Sequence, residues 1–134
     1  MTPNVEKILV AHLLDDATLT AVLGGANRVS TELPANADLP RIRLTLGGGR
    51  VVIRTWLYAV RVTVEAWADS KDVAWDAITT AIASLEQNLD GALVEGGVIA
   101  ALDQEGGILW SPDTETRKAR YLTSVVVTIH PETQ

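Results

Sequence analysis

The sequence predicts an α+β fold: a largely antiparallel sheet of four to five strands with helices packed on one face. Three observations lead there. Residues 57–67 alternate apolar and polar side chains with period two. Residues 74–89 repeat apolar side chains at spacings of three and four. The elements run α, α, β, β, α, β, β, so strands come in sequential pairs around a helix, which favours antiparallel neighbours with the helices to one side.

Taken in order, Thr2-Pro3 reads as an N-cap followed by the first helical position, where the missing N–H of proline costs nothing. Val5, Ile8, Leu9, His12 and Leu13 then form one apolar helical stripe. Asp15 or Asp16 caps a second short helix carrying Leu19, Val22 and Leu23, and Gly24-Gly25 ends it. Residues 26–40, with two prolines, read as a loop. Pro40 opens a strand in which Arg41, Arg43 and Thr45 alternate with Ile42, Leu44 and Leu46, one face wet and one buried. Gly47-Gly48-Gly49 breaks it. The apolar run from Val51 to Trp56 reads as a mobile hairpin arm or a strand extension, so a flexible arm is expected over about 47–56.

The clearest strand runs from Leu57 to Trp67. Tyr58, Val60, Val62, Val64 and Ala66 share one face; Arg61, Thr63 and Glu65 share the other. Asp69-Ser70 caps a long helix whose inner stripe is Ala74, Ala77, Ile78, Ala81, Ile82, Leu85 and Leu89. Asp90-Gly91 stops it. Residues 91–107 hold five glycines and read as a loose connection with one short strand at Val98–Leu102. Another strand follows near Ile108-Leu109-Trp110, then the turn signal Ser111-Pro112-Asp113. Asp113 to Arg120 reads as a loop or hairpin tip, and Tyr121 to Ile129 as the last strand, with Pro131 in a short tail. All of this fits one domain over residues 1–134.

Bulk properties narrow the chemistry. At 134 residues the chain can bury a core without staples. With no cysteine, it can form no disulfide, thiolate metal site or Cys nucleophile. His12 and His130 are too few and too far apart in sequence for a zinc motif. No apolar run reaches ~18 residues, the length a membrane-spanning helix needs. The first residues lack the basic stretch and cleavage site of a signal peptide, so a cytosolic protein, or one that leaves inside a particle, is expected. The net charge of −6 argues against tight phosphate binding, which needs clustered Lys and Arg. It is compatible with DNA sliding past.

A nucleophile elbow and a phosphate loop are both absent. Gly47-Gly48-Gly49 precedes a β-prone run rather than a helix, so it reads as a turn. Asp15-Asp16 reads as a cap with a neighbour matched to the helix dipole, and His12 as a structural histidine. No catalytic residue, metal site or cofactor site is therefore expected. What stands out is four tryptophans with no phenylalanine at all. Trp is heavily used as an interface anchor. Trp56 and Trp67 are the best candidates, Trp67 because it falls on a polar strand face and needs cover. The other interface candidates are Arg50 and Arg54 on the arm, Arg41, Arg43 and Arg61 on the polar sheet face, and Asp113, Glu115 and Arg117 in the charged loop, where mixed charges would set register with a neighbour.

Four stretches resemble the tail terminator (tail completion) proteins of long-tailed bacteriophages, of the actinobacteriophage type. Val10-Ala11-His12-Leu13-Leu14-Asp15-Asp16-Ala17-Thr18-Leu19-Thr20 is similar to that family's opening helix pair with its Gly-Gly stop. Leu39-Pro40-Arg41-Ile42-Arg43-Leu44 resembles its first strand. Arg61 to Ser70, read Arg-Val-Thr-Val-Glu-Ala-Trp-Ala-Asp-Ser, resembles its central strand and step into the long helix. Trp110-Ser111-Pro112-Asp113 and Arg120-Tyr121-Leu122 resemble its C-terminal hairpin. Val51-Val52-Ile53 departs from the pattern, where a more polar loop is expected.

The resemblance implies a non-enzymatic virion protein that forms a homohexameric ring. The ring would dock on the last ring of the major tail tube protein, stop its polymerisation and offer a surface to the head-tail connector protein. DNA would pass through the lumen without specific binding, and no cofactor or membrane would be involved. The place implied is the head-proximal end of the tail, after assembly in the host cytoplasm. A ring independently requires head-to-tail contacts between two different patches. Two alternatives stay open: another head-tail joining protein of the neck or head completion kind, and a small cytosolic ligand-binding regulatory α+β domain.

Overall fold

The computed structural model describes residues 4–33, 38–47, 51–54 and 56–131, and of 51–54 the backbone only. Helix α1, Val5–Leu14, starts behind Asn4, whose side chain accepts a hydrogen bond from the Lys7 backbone N–H at 3.1 Å. The predicted Thr2-Pro3 cap lies outside the described residues. Val5, Leu9 and Leu13 are its buried side chains. Helix α2, Ala17–Leu23, is capped by Asp16, which accepts from the Leu19 N–H at 3.0 Å. It ends at Gly24 with φ +75°, the left-handed conformation that glycine tolerates.

Seven strands form one sheet, more than the four to five expected. They are β1 (Val29–Ser30), β2 (Arg41–Leu46), β3 (Val51–Arg54), β4 (Leu57–Ala68), β5 (Leu93–Val94), β6 (Gly97–Trp110) and β7 (Ala119–Pro131). Their order is β1-β2-β4-β7-β6-β5, with β3 also paired to β4. All pairs are antiparallel except β1 with β2. Strand β4 pairs with β7 along its whole length, so β2 and β3 share its other edge. Strand β2 matches residues 62–67 and β3 matches 57–59. The apolar run after Gly49 therefore pairs antiparallel with the start of β4, as the hairpin reading has it.

The largest departure from the sequence reading is β6. The two short strands expected at Val98–Leu102 and near 108–110 are one continuous strand of 14 residues, running through glycines read as a loose connection. Its glycines serve geometry rather than freedom. The register with β7 slips between Ile99 and Ala101 and again between Glu105 and Leu109, where Gly106 has φ +73°. A side chain on Gly97 would lie 2.3 Å from the His130 carbonyl oxygen, so only glycine fits there.

Helix α3, Lys71–Leu89, is capped by Ser70 and buries the predicted stripe in full. That stripe packs on the sheet face carrying Ile42, Leu44, Val60, Val62, Val64, Ala66, Val125, Val127 and Ile129, together with the buried faces of α1 and α2. The alanines keep helix and sheet close, and each fully buried Leu, Ile or Val contributes about 1.5–3 kcal/mol. The helices thus cover one face and leave the other face of the sheet open.

Side chains occupy two of the backbone N–H groups at the sheet's edges. On β2, the Leu46 N–H donates to the Glu6 carboxylate at 3.1 Å. On β6, the Leu102 N–H donates to Asp90 at 3.0 Å. The outermost strands β1 and β5 have two residues each.

Candidate subunit interface

The open face gathers most of the predicted candidates, because period-two alternation sends every second residue of β2, β4 and β7 there. Cross-strand register sets Arg41 beside Trp67 and Trp67 beside Arg120, with Arg43 beside Glu65 in the next row. The Glu65 carboxylate, only 7% exposed, holds Arg43 Nε at 2.5 Å and lies 3.7 Å from an Arg120 nitrogen. The guanidinium carbons of Arg120 and Arg43 stand 5.0 and 6.0 Å from the Trp67 ring. These are cation–π distances.

Trp67 does find cover, as its place on a polar face requires. The cover comes from its own chain, and it is 7% exposed. Two guanidiniums therefore converge on one carboxylate and one indole, with Arg41 next to Trp67 by register. Arg120 also donates to the Ser111 carbonyl at 2.7 Å, and Arg41 donates to the Asn27 carbonyl at 3.3 Å. Two buried donors, Arg41 Nε and Trp67 Nε1, have no acceptor among the described residues. Arg61 stands apart, paired with Glu105 at 2.6 Å with both side chains half-exposed.

Trp56 sits at the other end of the sheet, 49% exposed, with its ring edge-on to His130 at 5.3 Å. Arg50 and the side chain of Arg54 lie outside the described residues. In the 111–118 connection, Asp113 folds the turn on itself. Its carboxylate accepts from the Thr116 backbone at 2.9 Å and from the Thr116 hydroxyl at 2.5 Å. The hydroxyl bond above all, and then the backbone bond, hold its pKa below the ordinary value. Arg117 takes φ +61°, and Glu115 and Arg117 are exposed. Lys118 reaches back to Asp69 at 2.5 Å.

A second surface was not singled out by the sequence. Trp75 and Trp110 both pack on Tyr121, at 5.3 and 4.9 Å between rings, yet remain 44% and 40% exposed. The Lys71 ammonium lies 4.8 Å from the Trp110 ring. Asp72, Trp75 and Asp76 share one outward face of α3 by their i, i+3, i+4 spacing. Helical periodicity alone could have placed Trp75 there. That Trp110 joins it required knowing that β6 and β7 pair.

His12 does have a structural partner. Its Nε2 lies 2.9 Å from the Ser84 hydroxyl, which donates to the Asp16 carboxylate. The hydroxyl proton points at the aspartate, so the histidine is placed as a donor to Ser84 and not as a base acting on it. The array ties α1, the α2 cap and α3 together. The Ser84 bond is the main reason the Asp16 pKa is lowered, with the Leu19 N–H second. A polar groove lined by Thr18, Thr80, Gln87 and Asn88 lies beside it.

Among the described residues no group of three or more His, Asp or Glu could hold a metal ion, and no helix is long and apolar enough to cross a membrane. No family model matches the chain, and no curated protein matches it. Among solved structures, a chain of the virion of a native gene transfer agent (GTA) particle shares its architecture. The TM-score is 0.72 at 14% identity, over 94% of this chain and 94% of that chain. At that identity the likeness establishes a shared fold, spanning both chains almost end to end.

Proposed function

We propose that this chain is a structural protein of a phage-like virion, and within it the ring-forming tail terminator that caps the tail tube and presents a docking surface to the head connector. The observation that carries the reading is the end-to-end fold likeness to a chain of a virion particle. The four sequence stretches that resemble tail terminators add the finer assignment. Two surfaces of different chemistry, the partly buried arginine face and the half-exposed Trp75–Trp110 face, are what head-to-tail closure needs. The role requires no turnover, no cofactor and no metal.

The test is deletion of the gene from a phage that carries it, followed by electron microscopy of the lysate. Overlong tails are the expected result. Normal-length tails lying beside heads that have lost their DNA would move the protein to the neck, the second reading. Intact infectious particles would remove it from the virion altogether.

A further inference from the structure

The two faces at one end of the sheet have opposite deficits. The row Arg41, Trp67, Arg120 lies on the open face at the C-terminal end of β4. The adjacent row, Ala66 and Tyr121 with Trp110, lies on the helix-covered face. On the open face Arg43 and Arg120 share a single carboxylate, and Arg41 beside them has no ion pair among the described residues. Three guanidiniums against one carboxylate leave this corner of the face with excess positive charge.

The helix side has the reverse. Residues 4–23 and 69–90 carry eight Asp or Glu against two Lys. Asp72 and Asp76 are exposed without an ion pair among the described residues, on either side of a half-exposed Trp75. A half-exposed indole is a common interface anchor, and the two carboxylates beside it give the patch a negative charge.

We propose that the Arg41–Arg43–Arg120 face of one copy receives the Asp72–Trp75–Asp76 face of α3 from a second copy. This rests on the ring-forming reading and names the surfaces that close the ring. The carboxylates balance the excess positive charge of the arginines, while Trp75 and Trp110 are covered by the open sheet face. A second copy fits better than a nucleic acid backbone. The arginines are folded down on Glu65 and Trp67, with side-chain exposures of 31% for Arg43 and 22% for Arg120, rather than extended towards solvent. Their complement is also present on the same chain, on the opposite face of the same sheet end.

Because the chain has no native cysteine, the contact can be trapped directly. Arg41→Cys and Asp76→Cys are placed in one chain, and the concentrated protein is oxidised. A ladder of covalent oligomers ending in a closed species is expected, with neither single variant cross-linking efficiently. Absence of the ladder, or dimers from either single variant, overturns the proposal.

A charge-reversal set checks the electrostatics. Arg41→Glu with Arg43→Glu, or Asp72→Lys with Asp76→Lys, should each weaken self-association by about tenfold or more in sedimentation at low salt. An equimolar mixture of the two variants should restore it, because the swapped faces again match. Unchanged unfolding midpoints show that each variant folds. Unaltered association of both variants overturns the contact, as does binding of a short DNA duplex that the arginine variants abolish while association persists. Tail length in the deletion phage is read separately, so a trapped ring with normal tails would remove the terminator role and keep the contact.

Discussion

Asp16 shows how one side chain can serve two structures at once. It caps α2 through the Leu19 N–H and anchors α3 through Ser84, and both bonds favour the charged carboxylate. Its folded pKa is depressed below the ordinary 3.8. The stabilisation is therefore complete above that value and is lost as pH falls through the lower, folded value. Asp16→Ala should cost about 1–2 kcal/mol at neutral pH, the range for loss of a cap. The gap between variant and wild type in urea unfolding should close as pH drops below about 4. A gap that stays constant to strong acid would contradict the account. The sequence offered Asp15 or Asp16 as the cap, and showed His12 as structural from its helical position. Ser84, 68 residues away, was silent because nothing local distinguishes a serine on a buried helix stripe from one in solvent.

At the scale of elements, α3 has two faces that should answer mutation differently. Ile78→Ala or Leu85→Ala removes a fully buried side chain facing the sheet and should cost about 2–5 kcal/mol. Trp75→Ala removes a half-exposed ring whose main neighbour is Tyr121 and should cost about 1 kcal/mol. Chemical denaturation of the variants measures both. Comparable losses at Trp75 and Ile78 would mean that the indole is part of the core.

Strong periodicity made α3, β2, β4 and β7 legible residue by residue. Strand β6 reads as two short pieces, Val98–Leu102 and one near 108–110, for a physical reason: two register slips and its glycines break the alternation that marks a strand, although the ladder to β7 continues. Strands β1 and β5 are too short to leave any pattern. The candidate interface was half legible. Arginines on a polar strand face could be read from alternation, but their convergence on Glu65 and Trp67 depends on which strands are neighbours.

Taken as a whole, the molecule is a two-layer body whose helix side is acidic and whose open sheet side carries Arg41, Arg43, Arg61 and Arg120 against Glu65, Asp103 and Glu105. The proposed ring requires copies to join only through the intended faces. An unguarded sheet margin would offer a competing route, since its bare N–H and C=O groups template further strands. Glu6 and Asp90 occupy such groups on β2 and β6. Glu6→Ala should leave the global fold intact and hasten light scattering on prolonged incubation near the unfolding midpoint. Unchanged scattering would show that the Leu46 N–H needs no guard.

Those guarded margins bear on how the protein can be kept before it is used. With two-residue outer strands, carboxylates over the neighbouring amides and a kinked β6, it offers little foothold for cross-β growth. Copies can then accumulate to high local concentration in a crowded compartment without seeding fibres.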